Sequence, residues 1–222
     1  MDWPAFRLSL WLGFGTVLIL LPFALWLGRF LALWRFRGRG LVEAAVALPL
    51  VLPPTVLGFY LLTTFGAESW LGSVFQAVFG KTLAFSFEGL LLASAIANIP
   101  FAVQPIQNAF AAIPPNLREA GATSGMAPWE VFWRVELPLA WPGIATAIVL
   151  TFAHTLGEFG VVLMVGGNLP GETRTLSIAI YDRMQAFDDH SAGIMAAVLL
   201  VVAVATLMTT TALTERLVKR RG

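Results

Sequence analysis

The chain has 222 residues, 58% of them apolar and 12% charged, with a formal net charge of +1 and a mean hydropathy of +0.79. That balance excludes an ordinary soluble globular domain and predicts a chain embedded in a bilayer. The basic residues are scattered among apolar runs, which excludes a basic face for nucleic acid, and the lack of cysteine excludes disulfides and thiolate metal sites.

A helix needs roughly twenty mostly apolar residues to cross about 30 Å of hydrocarbon. Five segments qualify: 8–27, 44–65, 90–110, 141–165 and 193–213. The predicted fold class is an all-α integral membrane protein with five transmembrane helices in a single domain over 1–222. The first segment follows Arg7, runs on without charge, and is followed by no small-residue cleavage site, so it reads as a retained helix rather than a signal peptide. Pro49, Pro53 and Pro54 interrupt the second segment. Each proline removes a backbone hydrogen bond, which predicts a kinked span that either is simply tolerated in lipid or lines a cavity. Beyond it, Trp70, Leu71, Val74, Phe75 and Val78 recur at helical spacing and predict a short interfacial helix over 69–79. The third segment contains Pro100 and Pro105 together with Asn98, Gln104, Gln107 and Asn108. Such polar groups should face the bundle interior, where they either line a route or hydrogen-bond neighbouring helices.

The fourth segment is the one that carries ionisable side chains, His154 and Glu158. Glu158 within a span needs a partner or access to water, and His154, one helical turn earlier, is the expected partner. Phe159 is read either as an apolar constriction or as ordinary packing. In the next loop, Arg174 either attracts anions or is a solvated turn residue. Lysine and arginine are retained on the cytoplasmic side of a membrane. Arg29, Arg35, Arg37, Arg39, Arg118, Arg134, Arg216, Lys219, Arg220 and Arg221 fall on one side, leaving Arg7, Lys81, Arg174 and Arg183 opposite. The N-terminus is therefore expected outside and the C-terminus in the cytoplasm.

Between the third and fourth segments, residues 111–140 form the most informative stretch. Asn116 is expected to cap a helix with Glu119 reaching back to it, Gly125 to end that helix in a left-handed conformation, and Pro128 to start a second helix presenting Trp129, Phe132 and Trp133. Two other motifs fail on inspection. Gly80-Lys81-Thr82 lacks the glycine that a phosphate-binding loop needs five positions earlier, where Phe75 stands. His154 and Glu158 could make a metal pair on one helix face, but the other histidine, His190, lies in a distant loop, which argues against an intramembrane metalloenzyme.

The run Glu119, Ala120, Gly121, Gly125, Val135, Leu137 and Pro138 resembles the EAA loop of bacterial ABC importer permeases, with Gly121 in place of the second alanine and Val135 in place of isoleucine. Residues 48–60 and 156–181, including Leu-Gly-Glu-Phe-Gly and Gly-Asn-Leu-Pro-Gly-Glu-Thr-Arg from Gly167 to Arg174, are similar to molybdate permeases; sulfate and thiosulfate permeases share the first of these motifs. The resemblance implies a type I ABC importer permease fold and a bacterial inner-membrane location. It implies a homodimer with two ATP-binding cassette subunits, which carry ATP-Mg, and a periplasmic or extracellular molybdate-binding protein that delivers molybdate or tungstate. No cofactor is expected in this chain. The EAA-loop residues would couple to the ATPase; Asn98, Gln104, His154, Glu158, Phe159, Asn168 and Arg174 are candidate pathway or gate positions. A passive channel or secondary carrier would share the kinked helices but would not require a helical dock for an ATPase.

Overall fold

The computed structural model describes residues 1–219, with side chains through residue 208. Among these residues all regular structure is helical. Helix α1 (Trp3–Leu33) starts with Asp2 accepting from the Ala5 N–H at 3.0 Å and extends well beyond the expected 8–27 at both ends. The third predicted span appears as α5 (Phe87–Ala111), capped by Ser86 and continuous through Pro100 and Pro105.

The second span is not one kinked helix. It is two, α2 (Arg39–Val51) and α3 (Pro54–Phe65), bent by 108°. The break, though not its angle, is local in origin: Pro54 has no N–H to continue a ladder and drives the preceding Pro53 out of the helical region, to φ −55° and ψ 136°. The short helix expected over 69–79 is α4 (Trp70–Phe79), with the Ser69 hydroxyl accepting from the Gly72 N–H at 2.8 Å.

After α5 come α6 (Pro115–Thr123), α7 (Pro128–Val131) and a π-helical turn (Phe132–Glu136) that runs directly into α8 (Leu137–Gly157). The fourth span therefore begins well before residue 141, and it stops at Gly157 instead of continuing to 165. The chain breaks at Glu158 and Phe159 and resumes as α9 (Gly160–Gly166). Two polar contacts support this break. The Glu158 carboxylate accepts from the Val161 N–H at 3.0 Å, and the Ser177 hydroxyl donates to the Glu158 carbonyl at 2.8 Å.

Helix α10 (Leu176–Gln185) lies beside α11 (Asp189–Lys219), the predicted fifth span. The Ser191 side chain and N–H hold the Asp188 carboxyl below its usual range. The predicted end of this span at 213 and the basic side chains Arg216, Lys219, Arg220 and Arg221 lie outside the residues described with side chains.

Helices α1, α5 and α8 form the centre of the bundle. Leu20, Ala24, Leu27, Val103, Ile106, Phe110, Ala140 and Ile144 pack into one cluster near the end where α1 finishes. A second cluster joins α3, α5 and α9 through Leu57, Leu61, Ala93, Val161 and Val165. In lipid, apolar contact gives little net drive for helices to associate, so close approach and polar links between them matter more. The crossing of α5 and α8 meets that need at Gly143, where a Cβ would lie 2.7 Å from the Pro105 carbonyl oxygen.

Candidate functional site

The loop of interest forms a helix-turn-helix. Its first helix does not use the expected cap: Pro114 occupies the N-cap, Pro115 opens the helix, and Asn116 sits inside it. Proline at the first position needs no partner for its missing N–H, so the asparagine side chain is not required there. The other end behaves as expected. Gly125 has φ +83°, its N–H donates to the Ala122 carbonyl at 3.0 Å, and the Met126 N–H donates to the Gly121 carbonyl at 3.1 Å. These are the two paired bonds of a Schellman ending. At the start of α7, Glu130 accepts from the Ala127 N–H at 3.0 Å.

Glu119 and Gly125 are exposed on this surface. Ala120, Gly121, Val135 and Pro138 line a recess of about 550 Å3 between α6 and the start of α8, together with Leu117 and Met126. Leu137 packs into the bundle core. Trp129 and Trp133 remain 66% and 58% exposed, whereas Phe132 turns inward to stack on Phe110. The loop thus presents an apolar rim and a recess beyond the ends of the spans.

Sequence reasoning passed over the group that fastens this loop. The Glu136 side chain is 2% exposed and bridges two arginines: Arg29 Nε donates to Oε2 at 2.6 Å and Arg118 Nε to Oε1 at 2.8 Å. Arg118 also donates to the carbonyls of Ile113 (3.0 Å) and Phe110 (2.7 Å), and the Arg29 guanidinium lies over the Phe132 ring. The available signal was an acidic residue just before Leu137-Pro138 in a loop that also holds Arg118 and Arg134.

The predicted pathway residues fall into three places. Gln104 and Asn108 line an open groove of about 630 Å3 between α5 and α8, with Phe101, Pro105, Gly143 and Thr146. Gln107 turns away from it and donates to Glu43 at 2.8 Å.

Asn98 is fully buried and ties α5 to α8: its amide nitrogen donates to the Ser94 carbonyl (2.8 Å) and Thr155 Oγ1 (3.1 Å), and its oxygen accepts from His154 Nδ1 at 3.1 Å. His154 stacks on Phe101, and its Nε2 lies 3.7 Å from Glu158 Oε2. His154 and Glu158 therefore do face each other, but beyond hydrogen-bond distance and as an ion pair only with the imidazole protonated, and Asn98 is the closer contact of the histidine. Phe159 sits among Leu8, Leu12, Leu90, Val162 and Ile178 and meets the Tyr181 ring at 5.0 Å. Within one chain this is a packing position.

At the opposite end from Glu136, Arg174 is not a free cation. Its Nε donates to the Asn168 oxygen at 2.6 Å, and its other nitrogens reach Asp2 and Asp182 at 3.9 and 3.7 Å. The Asn168 amide in turn donates to both Asp182 oxygens. Here acidic partners offset the charge of Arg174, which removes most of its pull on an anion in solution.

Residues 21–221 match a family described as binding-protein-dependent transport system inner membrane component. The molybdenum transport system permease protein ModB of Azotobacter vinelandii is 49% identical over 191 residues, covering 84% of this chain and 83% of that protein. The protein of the same name from Escherichia coli K12 is 40% identical, covering 83% and 80%. The sulfate transport system permease protein CysT of Escherichia coli K12 is 31% identical, covering 97% and 78%. Among solved structures, a bacterial ABC transporter involved in import of the acidic polysaccharide alginate superposes with a TM-score of 0.77 at 18% identity, covering 96% of this chain and 78% of that one.

Proposed function

This chain belongs to the family of binding-protein-dependent transport system inner membrane components, and from that membership we propose that it is the transmembrane subunit of an ATP-driven importer of molybdate, with tungstate as the alternative cargo. Its fold is that of a type I ABC importer permease, and it is a multi-pass inner-membrane transport subunit rather than an enzyme. One observation carries the cargo: identity of 49% to a molybdenum permease against 31% to a sulfate permease, each over most of the chain.

The mechanism follows from how the two ends and the groove are built. Two copies pair, because the groove between α5 and α8 is open on one side and its Gln104 and Asn108 amides need cover from lipid. The groove then becomes one wall of a shared route, in which the Gln104 and Asn108 amides supply neutral hydrogen-bonding groups. A tetrahedral dianion needs such donors and is repelled by bare carboxylates. Glu158 is therefore held as a structural cap beside the route, paired with His154. Residues 1–222 act as one permease domain with the N-terminus outside and the C-terminus in the cytoplasm.

A separate ATPase subunit, binding ATP-Mg, docks on each copy at the surface formed by Glu119, Gly125 and the recess between α6 and α8. ATP binding draws the two docks together and switches the route between inward-facing and outward-facing states. A soluble binding protein delivers the anion at the outer end.

The test is uptake of radiolabelled molybdate by proteoliposomes holding this chain, its ATPase and its binding protein. ATP-dependent uptake that excess tungstate blocks and sulfate does not is the expected result. Blockage by sulfate would transfer the chain to the sulfate branch.

A further inference from the structure

The arginine pair on Glu136 spans elements far apart in the chain. Arg29 belongs to the last turns of α1, Arg118 to α6, and Glu136 to the π-helical turn that leads into α8. Arg118 also holds the Phe110 carbonyl in the last turn of α5 and the Ile113 carbonyl just beyond it. One buried carboxylate thus joins the loop helix to all three central spans. Resting on the reading of α6 as the ATPase dock, we propose that Glu136 is a positioning residue that latches α6 to the inner ends of α1, α5 and α8, so that displacement of the dock moves those spans as one body.

Three observations support a latch over an ordinary surface ion pair. Glu136 is almost completely removed from solvent, so its carboxylate needs both partners, and breaking one leaves a buried charge incompletely met. Both contacts are short and charge-assisted, and both carboxylate oxygens are engaged, so the side chain has no second arrangement of equal quality. The π-helical turn adds a residue to the helical repeat where Glu136 must turn inward, with the Leu137 N–H reaching the Phe132 carbonyl. Such insertions disrupt a regular ladder and gather at functional positions. The neighbouring pair of Arg134 and Glu130, at 3.8 Å and with the arginine largely exposed, has none of these features.

The experiment compares Glu136→Gln with the unaltered chain in reconstituted complexes with ATPase and binding protein. The latch requires that molybdate uptake per ATP hydrolysed fall by about tenfold in the variant while hydrolysis continues. An unchanged ratio, with or without a loss of thermal stability, would overturn it, because a purely structural role lowers the amount of complex and not the yield of each cycle. Should Glu136→Gln fail to accumulate in the membrane, Arg118→Lys carries the same test, since a lysine keeps the charge but cannot hold Glu136 and two carbonyls together.

A second readout does not depend on cargo. The chain has no cysteine, so spin labels at Thr123→Cys and Trp34→Cys report the spacing of α6 from the end of α1. With the latch intact, that spacing stays constant when ATP is added; with Glu136→Gln it broadens. Broadening in the unaltered chain would overturn the latch. A complex that hydrolyses ATP with constant spacing yet accumulates no molybdate would count against the cargo alone.

Discussion

Gly125 ends α6 with φ +83°, a conformation in which a β-branched side chain collides with its own backbone. Gly125→Val is expected to cost about 1–2 kcal/mol locally and to fray the ending that sets the angle between α6 and α7. Because no neighbour lies within reach of a new side chain there, the effect should spare membrane insertion. Affinity for the ATPase, measured by co-purification from detergent, should fall about tenfold; full retention would remove Gly125 from the dock. Asn98 is the contrasting case, a buried amide that uses its donor and acceptor groups on α5 and α8. Asn98→Leu should lower stability by about 1–3 kcal/mol, since Thr155 and His154 lose a partner without gaining water. Thermal unfolding in detergent checks it, and an unchanged midpoint would deny Asn98 that linking role. Both residues were visible in the sequence because a single position and its type carried the meaning. Glu136 was not, because its value lies in Arg29, more than a hundred positions away.

Among the elements, the spans that read correctly are those whose boundaries are set within the span itself. α5 begins at a serine cap and carries no charged side chain beyond Glu88, so 90–110 was close to Phe87–Ala111. The proline pair announced an interruption of the second span, but a turn of 108° depends on where α3 packs, against α9, and no local pattern encodes that. The break after Gly157 was hidden for a related reason. Most residues on either side are as apolar as a continuing helix, and of the two contacts that support the break the Ser177 hydroxyl comes from a later element. The tight crossing of α5 and α8 supplies an element-scale prediction. Gly143→Ile would place a branched side chain against Ala109 and the Pro105 carbonyl, forcing the helices apart. Overpacking of this kind costs about 1–3 kcal/mol, so the unfolding midpoint in detergent should drop. Because Gly143 also borders the groove, uptake should fall further than the loss of folded protein explains. An unaltered midpoint would mean that α5 and α8 have slack at the crossing.

At the scale of the whole molecule, the two charged constellations sit at opposite ends of α1: Asp2 with Arg174 and Asp182 at its start, Arg29 with Glu136 and Arg118 at its finish. A bundle whose ends differ this way can be told apart end from end, and the orientation proposed above, with arginines retained on the cytoplasmic side, puts the Glu136 end inward. The cysteine-free chain allows a direct check with single substitutions at exposed positions. Glu172→Cys should react with a membrane-impermeant thiol reagent from outside intact spheroplasts, and Ser124→Cys only from the cytoplasmic side, in inside-out vesicles. The reverse pattern would invert the topology and put the α6 surface out of reach of any cytoplasmic ATPase. Gln104→Cys extends the same measurement to the route. Lying in the groove between these ends, it should react from the cytoplasmic side without nucleotide and lose that reactivity when ATP holds the docks together. A rate insensitive to nucleotide would mean that the groove faces lipid, and that the wall of the pathway is formed by other helices.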